Sequence, residues 1–318
     1  MKSKMIILLL SVLLTASGLW AWSRKPPPPP SHLPLWGGVA GQFHHHGSLT
    51  PELNKDLNWQ IVRWEVSSGT VQDSIGFFAF RDSLLNKLNP PNVKILLQLR
   101  WNSEALHPAS RIQHCVPTYS GGEDTLITTD WDDWGWFCFS MANLFRNDNV
   151  WFQIGNEPDY PGQRYWNASI PEWIAYVNMG ANAIKQANPD AYVVCGGFTG
   201  GRDINSTIRE VVNGLGLNVD ALDRHFYGLD KLSPEVLAQY LMVWPDYCHE
   251  RGFDSFVSEL SPPVFETAKG AGVDCAMMFD LWGSAGGVYA AVGQDGKVTE
   301  LGKSTGNWIK RQGQIEKE

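Results

Sequence analysis

No long run of Lys and Arg occurs anywhere in this 318-residue sequence, and its 25 basic residues are outnumbered by 33 acidic ones, for a formal net charge of −8. A nucleic-acid surface would carry a basic stripe, so that class of partner is excluded. Charge of either sign is scarce, 18% of residues against 43% hydrophobic, which excludes a disordered chain. Cysteine is sparse too: there are five, none in a Cys-x-x-Cys pair, so the common zinc and thioredoxin-type spacings are missing. A doubly wound nucleotide-binding sheet would place a glycine-rich loop after its first strand. Here Gly37-Gly38-Val39-Ala40-Gly41 lies within or before that strand. Beyond residue 22 no apolar run is long enough to span a membrane.

Aromatic residues, by contrast, are plentiful, with 15 Trp, 9 Tyr and 14 Phe. A core uses such rings, and so do flat platforms that cover the C–H face of a sugar.

The N-terminus has the pattern of an export signal. Lys2 and Lys4 precede the apolar run 5–14, with small residues and Ala21 beyond it. Residues 5–22 also approach the length of a bilayer span, so cleavage near Ala21 and retention as a signal anchor are both open. Pro26 to Pro30 then form a stiff, extended spacer. The resulting organisation is a signal or anchor over 1–22, a spacer over 23–35, one domain over 36–312 and a polar tail over 313–318. The expected location is outside the cytoplasm, secreted or held in the periplasm or envelope, where disulfides are permitted.

Within the domain, short apolar runs alternate with longer amphipathic ones. Strands are expected at 38–43, 60–64, 94–99, 150–155, 191–196, 220–225, 255–259 and 275–281. Helices are expected at 51–57, 74–88, 131–145, 171–187, 204–215, 234–251, 263–271 and 303–312. Ser233-Pro234-Glu235 shows the start chemistry, with Pro at a first helical position and an acid beside it. Eight strand–helix alternations in about 280 residues match an α/β fold of the (β/α)8 TIM-barrel type.

In such a barrel the chemistry sits where the strands end. Those ends bring His44, Arg63, Trp101, Asn156 with Glu157, His225 with Tyr227, Glu259 and Trp282 toward one mouth. Glu157 and Glu259 lie 102 residues apart, which is three barrel units at roughly 31 residues each. They therefore belong to the fourth and seventh strands, facing each other. Glycoside hydrolysis needs two such carboxyls, one to protonate the leaving oxygen and one to attack or to activate water. A carboxylate beside a guanidinium is held ionised. Its partner, short of neutralising charge and packed on an aromatic ring, is suited to act as the acid. A retaining pair would sit about 5–5.5 Å apart.

Asn156-Glu157-Pro158 after the fourth strand, with Glu259 ending the seventh, resembles clan A of the glycoside hydrolases, retaining (β/α)8 β-glycosidases. The resemblance covers residues 36–312 and implies Glu157 as acid/base and Glu259 as nucleophile. It further implies Asn156 on the sugar 2-hydroxyl, Arg63 near the nucleophile, and His225 and Tyr227 as the sixth-strand pair, one of which orients the nucleophile. Trp282 would be the platform under the sugar.

Trp101, Tyr119, Tyr160, Tyr165 and Trp166 are candidate subsite rings on loops at the mouth, and residues 102–129 are expected as an unstructured loop walling the cleft. His44-His45-His46 has no accompanying carboxylate and its side chains diverge. His44 is thus a sugar contact, and neither a metal nor an organic cofactor is expected. The reading is an exported retaining β-glycosidase acting on a poly- or oligosaccharide. Its rivals are a catalytically silent glycan-binding barrel and a transglycosylase.

Overall fold

The computed structural model describes residues 38–40, 54–55, 57–67, 74–87, 93–100, 113–116, 125–128, 133–160, 169–200, 203–227, 229–260, 264–279, 298–300, 302–304, 307 and 310. The expectations for the N-terminal signal and spacer, and for His44, Trp101, Tyr119, Tyr165, Trp166 and Trp282, lie outside them.

Eight parallel strands close a barrel: β1 (Gly38–Ala40), β2 (Ile61–Ser67), β3 (Lys94–Arg100), β6 (Val150–Ile154), β7 (Val193–Phe198), β8 (Ala221–Phe226), β9 (Asp254–Leu260) and β10 (Cys275–Phe279). β1 pairs with both β2 and β10 and completes the ring. Among the described residues six helices intervene: α1 (Ser74–Lys87), α2 (Asp133–Leu144), α3 (Ile170–Ala187), α4 (Ser206–Gly214), α5 (Pro234–His249) and α6 (Phe265–Gly270). The expected (β/α)8 architecture is the one found.

One expectation fails. Residues 102–129 are not a structureless loop, because β4 (Gln113–Val116) and β5 (Thr125–Thr128) pair there as an antiparallel two-stranded sheet. The reason is local: Thr125-Leu126-Ile127-Thr128 is rich in β-branched residues.

Side chains alternate between the two faces of a strand, so each barrel strand sends every second residue inward. The lowest inward tier is apolar. Ile61, Leu96, Trp151, Val194, Ala221, Phe256, Cys275 and Met277 form one buried cluster, with Tyr192 packed on it. The rings of Trp151, Tyr192 and Phe256 lie 4.7–6.0 Å apart, centroid to centroid, and floor the barrel. The outward residues, such as Leu97, Ile154 and Val257, join Val177, Ile184 and Trp244 of the helices in the larger core. Each such side chain removed from water contributes about 1.5–3 kcal/mol. Two residues above the floor the inward tier turns polar, with Arg63, Gln98, Gln153, Asp223 and Ser258 all buried. Polar groups are kept there only if they satisfy one another.

Candidate active site

Glu259 does not reach the barrel interior by simple alternation. Val257 faces the helices, so a regular strand would turn Glu259 the same way. The register between β8 and β9 slips instead: Asp223 pairs with Phe256 and His225 with Glu259, a step of two residues against three. This extra residue is a β-bulge, which re-aims the side chain that follows it.

Glu157 follows β6 in a constrained backbone. Its own φ is +41°, and Gly155, two residues earlier, has a φ of +74°. A Cβ on Gly155 would lie 2.0 Å from Cη2 of Trp173 on α3, so only glycine admits the chain here. The Glu157 amide donates to the Gly197 carbonyl at 2.8 Å. Asp159 then ties this turn to the end of β7, accepting from the Thr199 amide and hydroxyl at 2.9 Å each and from Asn205 Nδ2 at 3.2 Å.

These elements bring the two carboxyls together. Glu157, His225 and Glu259 each present an atom within 4.8 Å of the other two, and the glutamates are 7% and 8% exposed. Arg63 Nη1 donates to Glu259 Oε1 at 2.5 Å, and the Tyr227 hydroxyl donates to Oε2. Arg63 also donates from Nε to Gln153 Oε1 at 2.6 Å and from Nη2 to Asn156 Oδ1 at 2.8 Å. Asn156 Oδ1 accepts again from Gln98 Nε2 at 3.0 Å, which leaves its NH2 group as the donor for a ligand. His225 Nδ1 sits 2.8 Å from Glu157 Oε1 and 3.4 Å from Glu259 Oε2.

His225 is fully buried, which by itself would lower its pKa. The charge of Glu259, the close contact with Asp223, the hydrogen bond with Glu157 and the charge of Asp223 outweigh that and raise it to about 9. For Asp223, burial pushes the carboxyl upward. The contact with and charge of His225, the charge of Arg63 and the Ser258 hydroxyl more than offset this and hold it below the usual range. The buried ring therefore favours its protonated form, in contact with Asp223, Glu157 and Glu259.

Two carboxylates and an imidazole at this spacing could also hold a cation. A metal needs a neutral imidazole, whereas this ring is favoured in its protonated form. Arg63 already occupies Glu259. The donor set fits a metal poorly.

Of the residues singled out from sequence, the structure gathers Glu157, Glu259, Arg63, Asn156, His225 and Tyr227. Tyr160 and Tyr227 are partly exposed aromatic rings. Sequence reasoning passed over Gln98, Gln153, Asp223, Ser258 and Asp159. The first four had a signal: each is a polar residue two places after an inward apolar one, Leu96, Trp151, Ala221 and Phe256.

Residues 127–263, which include both glutamates, match the family model described as Cellulase (glycosyl hydrolase family 5). The match covers less than half the chain. It bears out the resemblance to the clan A glycoside hydrolases and supports glycoside hydrolase chemistry. No curated protein sequence matches. Among solved structures, a glucosidase from Croceicoccus marinus is similar, with a TM-score of 0.59 at 13% identity, over 86% of this chain and 68% of that one. GH5_18 from Bifidobacterium longum, in complex with Manb1-4GlcNAc, gives 0.59 at 12% identity, over 87% and 78%. Endo-glycoceramidase II from Rhodococcus sp., solved as a lactosyl-enzyme intermediate, gives 0.53 at 14%, over 86% and 78%. At these identities the likeness establishes the barrel fold.

Proposed function

We propose that this chain is an exported retaining glycoside hydrolase that cleaves β-glycosidic bonds of a poly- or oligosaccharide by double displacement. The observation that carries the reading is the meeting of Glu157 and Glu259 within 4.8 Å at the mouth of a closed barrel. Retaining pairs stand about 5–5.5 Å apart, and inverting pairs leave room for water at about 6.5–9.5 Å. Glu259, oriented by Arg63 and Tyr227, attacks the anomeric carbon while Glu157 delivers its proton to the departing glycosidic oxygen. Glu157 then takes a proton from water, whose oxygen displaces Glu259 and restores both carboxyls. Asn156, Trp282, Trp101 and His44 are the proposed sugar contacts. The family 5 match over both glutamates supports the assignment, as does the Manb1-4GlcNAc complex of the Bifidobacterium neighbour. Export rests on Lys2, Lys4 and the apolar run after them.

The test is a panel of polysaccharides, oligosaccharides and aryl β-glycosides, with chromatography of the products. Glu259→Ala and Glu157→Gln are expected to lower turnover by about 10²–10⁴-fold or more, with an unchanged circular dichroism spectrum. Full activity in both variants would refute the roles. Glycan binding without products would identify a silent barrel, and elongated products with an acceptor sugar a transglycosylase.

A further inference from the structure

We infer that Asp223 is a positioning residue for both glutamates, a single buried carboxylate that aims His225 at Glu157 and holds Arg63 and Ser258 around Glu259. The inference deepens the reading above and rests on it.

Asp223 lies on β8, one tier below the glutamates, and is fully buried. It has no route to a sugar in the mouth. Both of its oxygens are nevertheless engaged. Oδ1 accepts from the Ser258 amide at 2.7 Å, and Oδ2 accepts from the Ser258 hydroxyl and from Gln153 Nε2, both at 2.5 Å. Ser258 immediately precedes Glu259 in the bulge. Gln153 in turn accepts from Arg63, whose other nitrogen binds Glu259. Toward Glu157, His225 Nε2 lies in an ion-pair contact 3.5 Å from Asp223 Oδ2, and that nitrogen makes no hydrogen bond among the described residues. His225 Nδ1 then meets Glu157. One carboxylate is thus connected to each glutamate through at most two intervening side chains.

Burying a carboxylate costs several kcal/mol unless it is paired and hydrogen-bonded. A neutral acceptor would serve Ser258 equally well. What a charge adds is an electrostatic pull that favours the doubly protonated imidazole, with Nε2 turned toward Asp223 and Nδ1 donating to Glu157. The groups facing His225 are Asp223 on β8, Glu259 on β9 and Glu157 after β6, with Tyr227 edge-on at 6.4 Å. Those facing Asp223 add Arg63 from β2 and the thiols of Cys195 on β7 and Cys275 on β10. Burial pushes both thiols far up, so they stay neutral. The ring therefore faces three carboxyl groups, consistent with a pKa raised to about 9.

The experiment follows the ¹⁵N-labelled imidazole of His225 through a pH titration by NMR, in the full chain and in Asp223→Asn, alongside kcat and KM on an aryl β-glycoside. Asn keeps the volume and can still accept from Ser258, but it removes the charge. The wild-type ring is expected to titrate near pH 9, and the variant at least about one unit lower. kcat is expected to fall about tenfold or more, with KM within about threefold. Wild-type kcat in Asp223→Asn overturns the inference. So does a lost kcat with an unmoved His225 midpoint, which would make Asp223 merely structural. A wild-type ring titrating at or below about pH 6.5 overturns it without any variant having to fold. The titration needs no substrate, so it stands or falls separately from the hydrolysis itself.

Discussion

Gly155 is the point at which strand β6 hands over to the Asn156–Glu157 step, and the indole of Trp173 leaves no room there for a side chain. Gly155→Ala is expected to destabilise the fold by about 2–4 kcal/mol, through both the clash and the left-handed backbone. Urea unfolding measures this. In a cycle with Trp173→Leu, the double variant should lose less than the sum of the single ones, by about 1 kcal/mol or more. The two glutamates were readable in the sequence because each follows an apolar strand run at a distance that barrel spacing explains. The inward aim of Glu259 was not readable, since it depends on a one-residue slip between β8 and β9. Asp223, Gln153 and Gln98 were overlooked because an isolated polar residue in an apolar run says nothing until the inward parity of its strand is known.

Strands β2 and β3 carry a second pair of charges further up the barrel wall. Glu65 lies two residues beyond Arg63, and Arg100 two beyond Gln98, so both point toward the mouth. They form an ion pair at 2.8 Å with side chains 38% and 31% exposed, respectively. Adjacent sugar hydroxyls suit such an acceptor and donor side by side. Arg100→Met should raise KM for an oligosaccharide several-fold while leaving kcat on a short aryl glycoside within about twofold. Steady-state kinetics on the two substrates decides this. On α3, Ser169 accepts from the Glu172 amide while the Glu172 carboxylate accepts from the Ser169 amide, a complete capping box. Ser169→Ala should cost about 0.5–2 kcal/mol in thermal or urea unfolding. Helix starts of this kind were legible, as at Ser233 before Pro234. The β4–β5 pair was not, because eight residues separate its two short strands.

For the molecule as a whole, alternating apolar runs were enough to give the barrel, while its polar middle tier emerges only once the strands are in register. That tier couples stability to pH. His225 has a raised pKa, so its contribution is complete below its ordinary value near 6.5 and fades as pH rises through about 9. Asp223 is depressed, so its contribution is complete above about 3.8 and fades as pH falls through the lowered value. Urea stability should decline between pH 6.5 and 9 by an amount of order 1–3 kcal/mol. In His225→Gln this alkaline decline should flatten. A wild-type profile that stays level across that range would contradict the charge arrangement described for the site.

The aromatic floor of Trp151, Tyr192 and Phe256 makes the barrel a cul-de-sac. For the proposed glycosidase, a polymeric substrate would be unable to thread along the barrel axis and would instead present a single linkage to the glutamates from the open end.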